Sequence, residues 1–263
     1  MNASSTGIIN FSGDRDDGGC WSNTDPTLSR QAFSPREVDI YDASKLKRPP
    51  SLYVEGFSRQ RMPLQGVAWD DGEWVEHVYL PAAAAIVKDL CGAAHAEPFV
   101  GGAMIRDSRT AEHAPPATFP HLDFSRQSLH PFLQISGMQE VRAAYPRVKI
   151  FNVWRSITEP PQNPALALCD QQTVDESDWV IGRTLGEGDV DDVEYVTLGF
   201  NPNQRWYFFP DLMLDEVLVF KSGDSDSEAL MGCFHTALSR RDLNGGGIPR
   251  ASIEMRVAAF FPK

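Results

Sequence analysis

The sequence predicts an α+β chain that closes on a double-sheeted β jelly roll, and three observations lead there. Helical periodicity lies early in the chain and is clearest over 76–90. From Lys149 onward, short β-branched and aromatic segments follow one another, parted by Pro, Asp and Gly turns. The 263 residues and 42% apolar content suit one large domain, a size at which sandwiches and barrels are routinely single units.

Taken in order, 7–11 reads as a short outer strand. Ser12–Arg36 is rich in Gly, Asp, Ser and Pro and reads as a loop-rich arm. Val38–Tyr41 and Ser51–Val54 read as extended pieces, with Pro49-Pro50 breaking the chain between them. Glu76–Leu90 places Val78, Leu80, Ala84, Ile86, Val87 and Leu90 at helical spacing; Pro81 falls near the first turn and Gly92 supplies a stop. Residues 98–106 read as a strand, 111–118 as a Pro/Ala-rich loop, and Gly137–Ala144 as a second helix. Strands follow at Lys149–Arg155, Arg205–Phe209, Glu216–Lys221, Gly232–Leu238 and Arg250–Phe261.

Composition excludes several function classes. A net charge of -12 leaves no basic stripe for nucleic acid. No apolar run approaches the ~18 residues that span a bilayer, and Met1–Ser5 carries no secretory pattern. Cys20, Cys91, Cys169 and Cys233 lie far apart without a C-x-x-C pair, so a disulfide framework is not expected and a reducing, cytoplasmic setting is. There is no G-x-S-x-G elbow, and Gly245-Gly246-Gly247 lacks the continuation of a phosphate loop.

The stretch around which the chain is organised is Phe119-Pro120-His121-Leu122-Asp123-Phe124-Ser125. On an extended strand, His121 and Asp123 project to one face, because strand side chains alternate with period two. An imidazole and a carboxylate so placed can grip one metal ion. His235 as a third ligand makes a two-His-one-carboxylate facial triad with open positions on a non-haem iron. His77, His95, His113 and His130 have no partner at ligand spacing and read as structural or surface residues.

Near the C-terminus, Arg250 and Ser252 share a strand face, so a guanidinium and a hydroxyl can hold one carboxylate. The plain alternative is a surface strand whose Arg250, Glu254 and Arg256 form ion pairs. Arg256 lies on the same face and rivals Arg250 for the carboxylate. Asn152 and Arg155 are candidates for binding substrate or co-substrate, although three residues apart they cannot both point inward on a regular strand; a strand-end ion pair is the alternative for Arg155. An inward Arg155 would suit an amino acid or another carboxylated substrate. Trp154 and Trp206 read as pocket wall or as plain core.

Several segments then recur together: Asn152-Val153-Trp154-Arg155-Ser156, Pro164–Asp170, Asn201-Pro202 with Arg205-Trp206-Tyr207, Pro210-Asp211 with Asp215-Glu216-Val217, His235-Thr236-Ala237 and Pro249–Arg256. This set resembles the CmcJ-like hydroxylase/desaturase family, which includes gibberellin-desaturase-like and cephem-methoxylation-related proteins of fungal natural-product clusters. The resemblance runs over nearly the whole chain, best from Phe119 to Phe261. It implies a cupin-like double-stranded β-helix with flanking helices and oxidation that depends on Fe(II), 2-oxoglutarate and O2. It implies His121, Asp123 and His235 as metal ligands, and Arg250 with Ser252 as the co-substrate clamp. Ser156 stands where a proline often follows the N-V-W-R run, and 239–247 is glycine-rich; both departures bear on loops near the pocket. Asp123 keeps the iron's carboxylate, which disfavours halogenation.

The expectation is one oxygenase domain over 1–263, with a loop-rich arm at 1–36 and a jelly-roll core at 119–261. It would hydroxylate, desaturate or oxidatively cyclise a small natural-product precursor, without nucleic-acid or membrane partners. A non-catalytic jelly-roll binding protein and an iron oxygenase that needs no keto acid are the two competing readings.

Overall fold

The computed structural model describes residues 4–262 except 23–24, 111, 136–137, 187–191 and 227. Its strands, in chain order, begin with β1 (Ser5–Ser12), β2 (Cys20–Trp21), β3 (Phe33–Asp42), β4 (Phe57–Arg61), β5 (His95–Asp107) and β6 (His121–Leu122). They continue with β7 (Arg147–Ser156), β8 (Gln162–Asn163), β9 (Ala165–Cys169), β10 (Trp179–Thr184) and β11 (Val193–Leu198). The last are β12 (Trp206–Phe208), β13 (Glu216–Asp224), β14 (His235–Arg240), β15 (Ile248–Pro249) and β16 (Ala251–Phe261).

One sheet runs β1-β3-β12-β9-β14-β6-β11-β10-β2, and the far end of β14 also pairs with β1. The facing sheet runs β4-β13-β7-β16-β5 and is antiparallel throughout. Apolar side chains from both sheets, among them Phe11, Leu122, Trp206, Ile150 and Phe260, form a shared core. Two sheets closed on such a core make a double-stranded β-helix, the jelly roll that the sequence predicts.

The five-stranded sheet is covered on its outer face. There α1 (Gly72–Trp74) continues through a π-helical stretch, Val75–Tyr79, into α2 (Leu80–Cys91). Pro81 stands where the π-helical stretch passes into α2, and Gly92 ends the helix in the left-handed conformation at φ 66°. Ala83, Ala84 and Val87 of α2 pack on Phe151, Val153, Ile253 and Met255. Odd-numbered positions of β7 and β16 therefore face the helix, while even-numbered ones face the interior between the sheets. That parity decides which side chains reach the functional site.

Several expectations change. The strand read at 7–11 forms as β1, which pairs with β3 along its full length, from Ser5 opposite Ile40 to Ser12 opposite Phe33. The described residues of 13–32 are mostly irregular, but β3 starts at Phe33, inside the stretch read as loop. Gly7, Ile9 and Phe11 turn inward there, whereas the polar, half-exposed start of β3 conceals the strand in the sequence. Ser51–Val54 is a turn, closed by hydrogen bonds to the Ser51 carbonyl from Val54 at 3.3 Å and Gly56 at 3.0 Å. The sheets also recruit β1 to β5, so the jelly roll extends well before Phe119. A helix the sequence reading lacks, α3 (Arg126–Ile135), carries Pro131 inside it and buries Leu129 and Leu133. The next helix, α4 (Gln139–Ala144), starts two residues later than expected, and Gly137 lies outside the described residues. Among the described residues no helix is long and apolar enough to cross a membrane.

Candidate metal centre and its pockets

Two short strand ends meet at the mouth of the barrel. His121 opens β6 and His235 opens β14, and these two residues are direct cross-strand partners. Cross-strand neighbours bring side chains on one face into contact; the two imidazole centroids stand 4.2 Å apart. Asp123, two residues beyond His121, falls on the same side, with its Oδ1 3.9 Å from His121 Nε2. One ligand atom from each of His121, Asp123 and His235 lies within 4.8 Å of the others.

The facing sheet prepares the carboxylate. Asp123 Oδ2 accepts hydrogen bonds from Asn152 Nδ2 at 2.9 Å, Ser222 Oγ at 3.0 Å and Arg256 Nε at 2.8 Å. These donors come from β7, β13 and β16. With Oδ2 held from behind, Oδ1 is turned toward the two histidines. Burial alone would raise the Asp123 carboxyl, but Arg256 and the two imidazoles hold it well below the usual range. Burial and the neighbouring His121 push His235 down to about 3, and burial likewise lowers His121. Both rings are thus neutral at pH 7, the form in which imidazole binds a metal.

A divalent cation fits this donor set. His121 Nδ1 is directed at the Phe119 carbonyl at 3.0 Å, which leaves Nε2 facing Asp123. His235 is buried with Nδ1 unpartnered. Two neutral imidazoles and an ionised carboxylate, with His121 and Asp123 oriented by second partners, are the ligand set of a facial triad.

Two cavities meet at His121. The larger, about 190 Å³, is walled by Trp21, Phe119, Phe124, Phe132 and Tyr195, with His121, Asp123, Arg106 and Arg256 at its polar end. The smaller is a cleft of about 20 Å³ between His121, His235, Trp154, Arg250 and Glu254. Arg106 lines both cavities and pairs with Glu254 at 3.3 Å.

Arg250 is buried in the cleft. Its Nη1 donates to the Ala165 carbonyl at 3.1 Å, its guanidinium lies 5.3 Å from the Trp154 ring, and its Nε has no acceptor. Burial lowers its pKa to about 10, so it remains a cation at neutral pH. Ser252 Oγ, fully buried on the same strand face, is also unpartnered. The ion-paired surface strand is not what forms.

The remaining candidates sort by strand parity. Arg256 donates its Nε to Asp123 Oδ2, which orients the carboxylate, and it also lines the larger cavity. Asn152 also contacts Asp123 and does not line the larger cavity. Arg155 is not at this site: it points to the helical side of β7, where Nη2 donates to the Met62 carbonyl. Trp154 faces the cleft, whereas Trp206 is core. Ser222, like Arg106, is a residue the sequence reading missed. It sits at a register shift between Lys221 and Gly223, and the bulge turns its hydroxyl to Asp123; no sequence pattern announces it.

A family model described as oxidoreductase/YMDC permease-like domain matches residues 9–260. The chain belongs to that family. The Fe(II)/2-oxoglutarate-dependent dioxygenase nvfI of Aspergillus novofumigatus is 26% identical over 234 residues, 87% of this chain and 84% of its own. The hydroxylase/desaturase efuI of Hormonema carpetanum is 26% identical over 262 residues, covering 89% of this chain and 86% of its own. A solved structure of a variant of the iron and alpha-ketoglutarate-dependent endoperoxidase NvfI superposes with a TM-score of 0.85 over 100% of both chains, at 24% identity. That likeness shows the fold. The resemblance to hydroxylase/desaturases read from the sequence holds, and this family member is similar to Fe(II)/2-oxoglutarate-dependent dioxygenases along most of its length.

Proposed function

We propose that this chain is an Fe(II)/2-oxoglutarate-dependent oxygenase that hydroxylates, desaturates or oxidatively cyclises a small, largely apolar molecule. The observation that carries the reading is the convergence of His121, Asp123 and His235, with the second oxygen of Asp123 held by three donors from the opposite sheet.

In this reading His121 Nε2, Asp123 Oδ1 and His235 hold the metal. Arg250 and Ser252, both buried with unused polar atoms, receive the distal carboxylate of 2-oxoglutarate through a charge-assisted pair and a hydroxyl. When bound, iron with 2-oxoglutarate and O2 supplies the oxidising power for an unactivated C–H bond. The chain's own work is positioning. Trp21, Phe119, Phe124, Phe132 and Tyr195 exclude water and grip an apolar substrate body beside the metal. Arg106 has five N–H groups; two are engaged, by Glu254 and by the Pro115 carbonyl at 3.4 Å. The others are placed to meet an oxygen of the substrate, the task the sequence reading gave to Arg155. The single-domain organisation and a cytoplasmic setting belong to the same proposal, the latter supported by four free cysteines.

Anaerobic addition of Fe(II) and 2-oxoglutarate tests it. A weak visible charge-transfer band is expected in the wild type, lost in His235→Ala and requiring at least about tenfold more 2-oxoglutarate in Arg250→Leu. A folded wild type that never shows the band overturns the oxygenase reading in favour of a non-catalytic binding protein. An unchanged 2-oxoglutarate requirement in Arg250→Leu removes the clamp assignment.

A further inference from the structure

The opposite face of β7 carries a second feature that the metal site does not use. Arg155 is 2% exposed, one of the largest fully buried side chains in the protein. Its partners are few. Nη2 donates to the Met62 carbonyl, and the guanidinium lies 5.7 Å from the Trp69 ring centroid. Nε is buried with no acceptor at all. Asp215, the carboxylate nearby in the same wall, is bonded by Arg61 through Nε at 3.1 Å and through Nη2. Among the described residues none forms an ion pair with Arg155.

A buried guanidinium with one neutral acceptor is costly, because desolvation of the charge goes largely uncompensated. Here it borders a cavity of about 240 Å³, otherwise walled by Pro63, Leu64, Val67, Trp69, Ile157 and Leu214, together with Ser156 and the Arg61-bonded Asp215. The wall is thus largely apolar, and its cation keeps an unused Nε donor beside a carboxylate that Arg61 already claims. Val67 and Leu214 are 48% and 39% exposed, so the cavity opens to solvent over an apolar rim. Nearby, the Tyr79 hydroxyl, its ring edge-on to Trp69 at 5.3 Å, is also buried without a partner.

We propose that this cavity is a binding site for a small monocarboxylate with a short apolar chain, its carboxylate seated on Arg155 and its chain between Trp69 and Leu214. The carboxylate supplies the missing counter-ion, and guanidinium N–H groups match its two oxygens. The apolar wall selects against inorganic anions, which would leave Leu64, Val67 and Ile157 facing a hydrated charge. The volume falls below the ~300–1,000 Å³ of sites for drug-sized ligands, which points to a short chain. The site is separate from the metal centre: Asn152 and Trp154 of β7 face the metal side of the sheet, and Arg155 faces the helical side.

Octanoate is the probe, with octan-1-ol as the uncharged control, each titrated calorimetrically into the metal-free wild type. Octanoate is expected to bind at one saturable site at least about tenfold more tightly than octan-1-ol. Val67→Trp, an exposed rim change that fills the opening, weakens octanoate at least about tenfold, as does Arg155→Leu where it folds. Thr184, at the end of β10, also lines the cavity beside His121; Thr184→Trp narrows that cavity and leaves octanoate binding unchanged. Equal binding of acid and alcohol, or full octanoate binding in Val67→Trp, overturns the proposal. Octanoate lost in Thr184→Trp and kept in Val67→Trp places the acid in the cavity beside His121 and overturns it as well. None of these readouts depends on oxygenase activity, so the proposal fails or stands apart from that reading.

Discussion

Asp123 shows how one side chain is made fit for a metal by residues the motif does not contain. A carboxylate free to rotate offers either oxygen; here Asn152, Ser222 and Arg256 claim Oδ2 and leave Oδ1 to the histidines. Partners of this kind typically account for 10–100-fold in metal affinity. Ser222→Ala removes one of three donors, so a loss near the lower end, about tenfold, is expected in an anaerobic Fe(II) titration. The cooperative unfolding transition should stay in place. Unchanged affinity would mean that Asn152 and Arg256 suffice to orient the carboxylate.

Among the elements, β10 and β11 set the shape of the larger cavity. Gly182 of β10 is the register partner of Tyr195 of β11. The Tyr195 ring lies over the glycine, and a Cβ there would come within 2.3 Å of the ring carbon Cζ. The phenol hydroxyl is tied to the Gly18 carbonyl at 3.0 Å and accepts from Gln31 at 2.6 Å, so the ring has little room to retreat. Gly182→Ala should therefore overpack this wall, at about 1–3 kcal/mol by urea unfolding. The displaced ring moves into the cavity that the proposed substrate occupies. Wild-type stability in that variant would show that the two strands part freely.

For the whole molecule, the proposed metal ligands come from one sheet and the groups that orient Asp123 come from the other. Metal binding consequently ties the two layers together, and the folded state alone presents the site. Fe(II) at 100 times its Kd should stabilise the fold by about 2.7 kcal/mol. For a chain of this size that is a rise in Tm of about 5–10 °C. Calorimetry under anaerobic conditions should show the rise, a chelator should reverse it, and His235→Ala should not display it. A wild-type Tm indifferent to Fe(II) at such concentrations would argue against the metal centre.

What the sequence by itself determined follows from short-range rules. Period-two alternation puts His121 and Asp123 on one face, apolar and β-branched runs mark β7, β13 and β16, and Gly92 stops the helix. The same alternation aligns Arg250 with Ser252. Only the tertiary structure decided what depends on how strands meet. It chose the inward face of β7, and so moved Arg155 from the substrate to a second cavity on the helical side. It paired Arg256 with Asp123, and it opened the bulge at Ser222. Strand pattern specifies that neighbouring residues point to opposite faces, but which face meets the metal is set by the sheet packed against it.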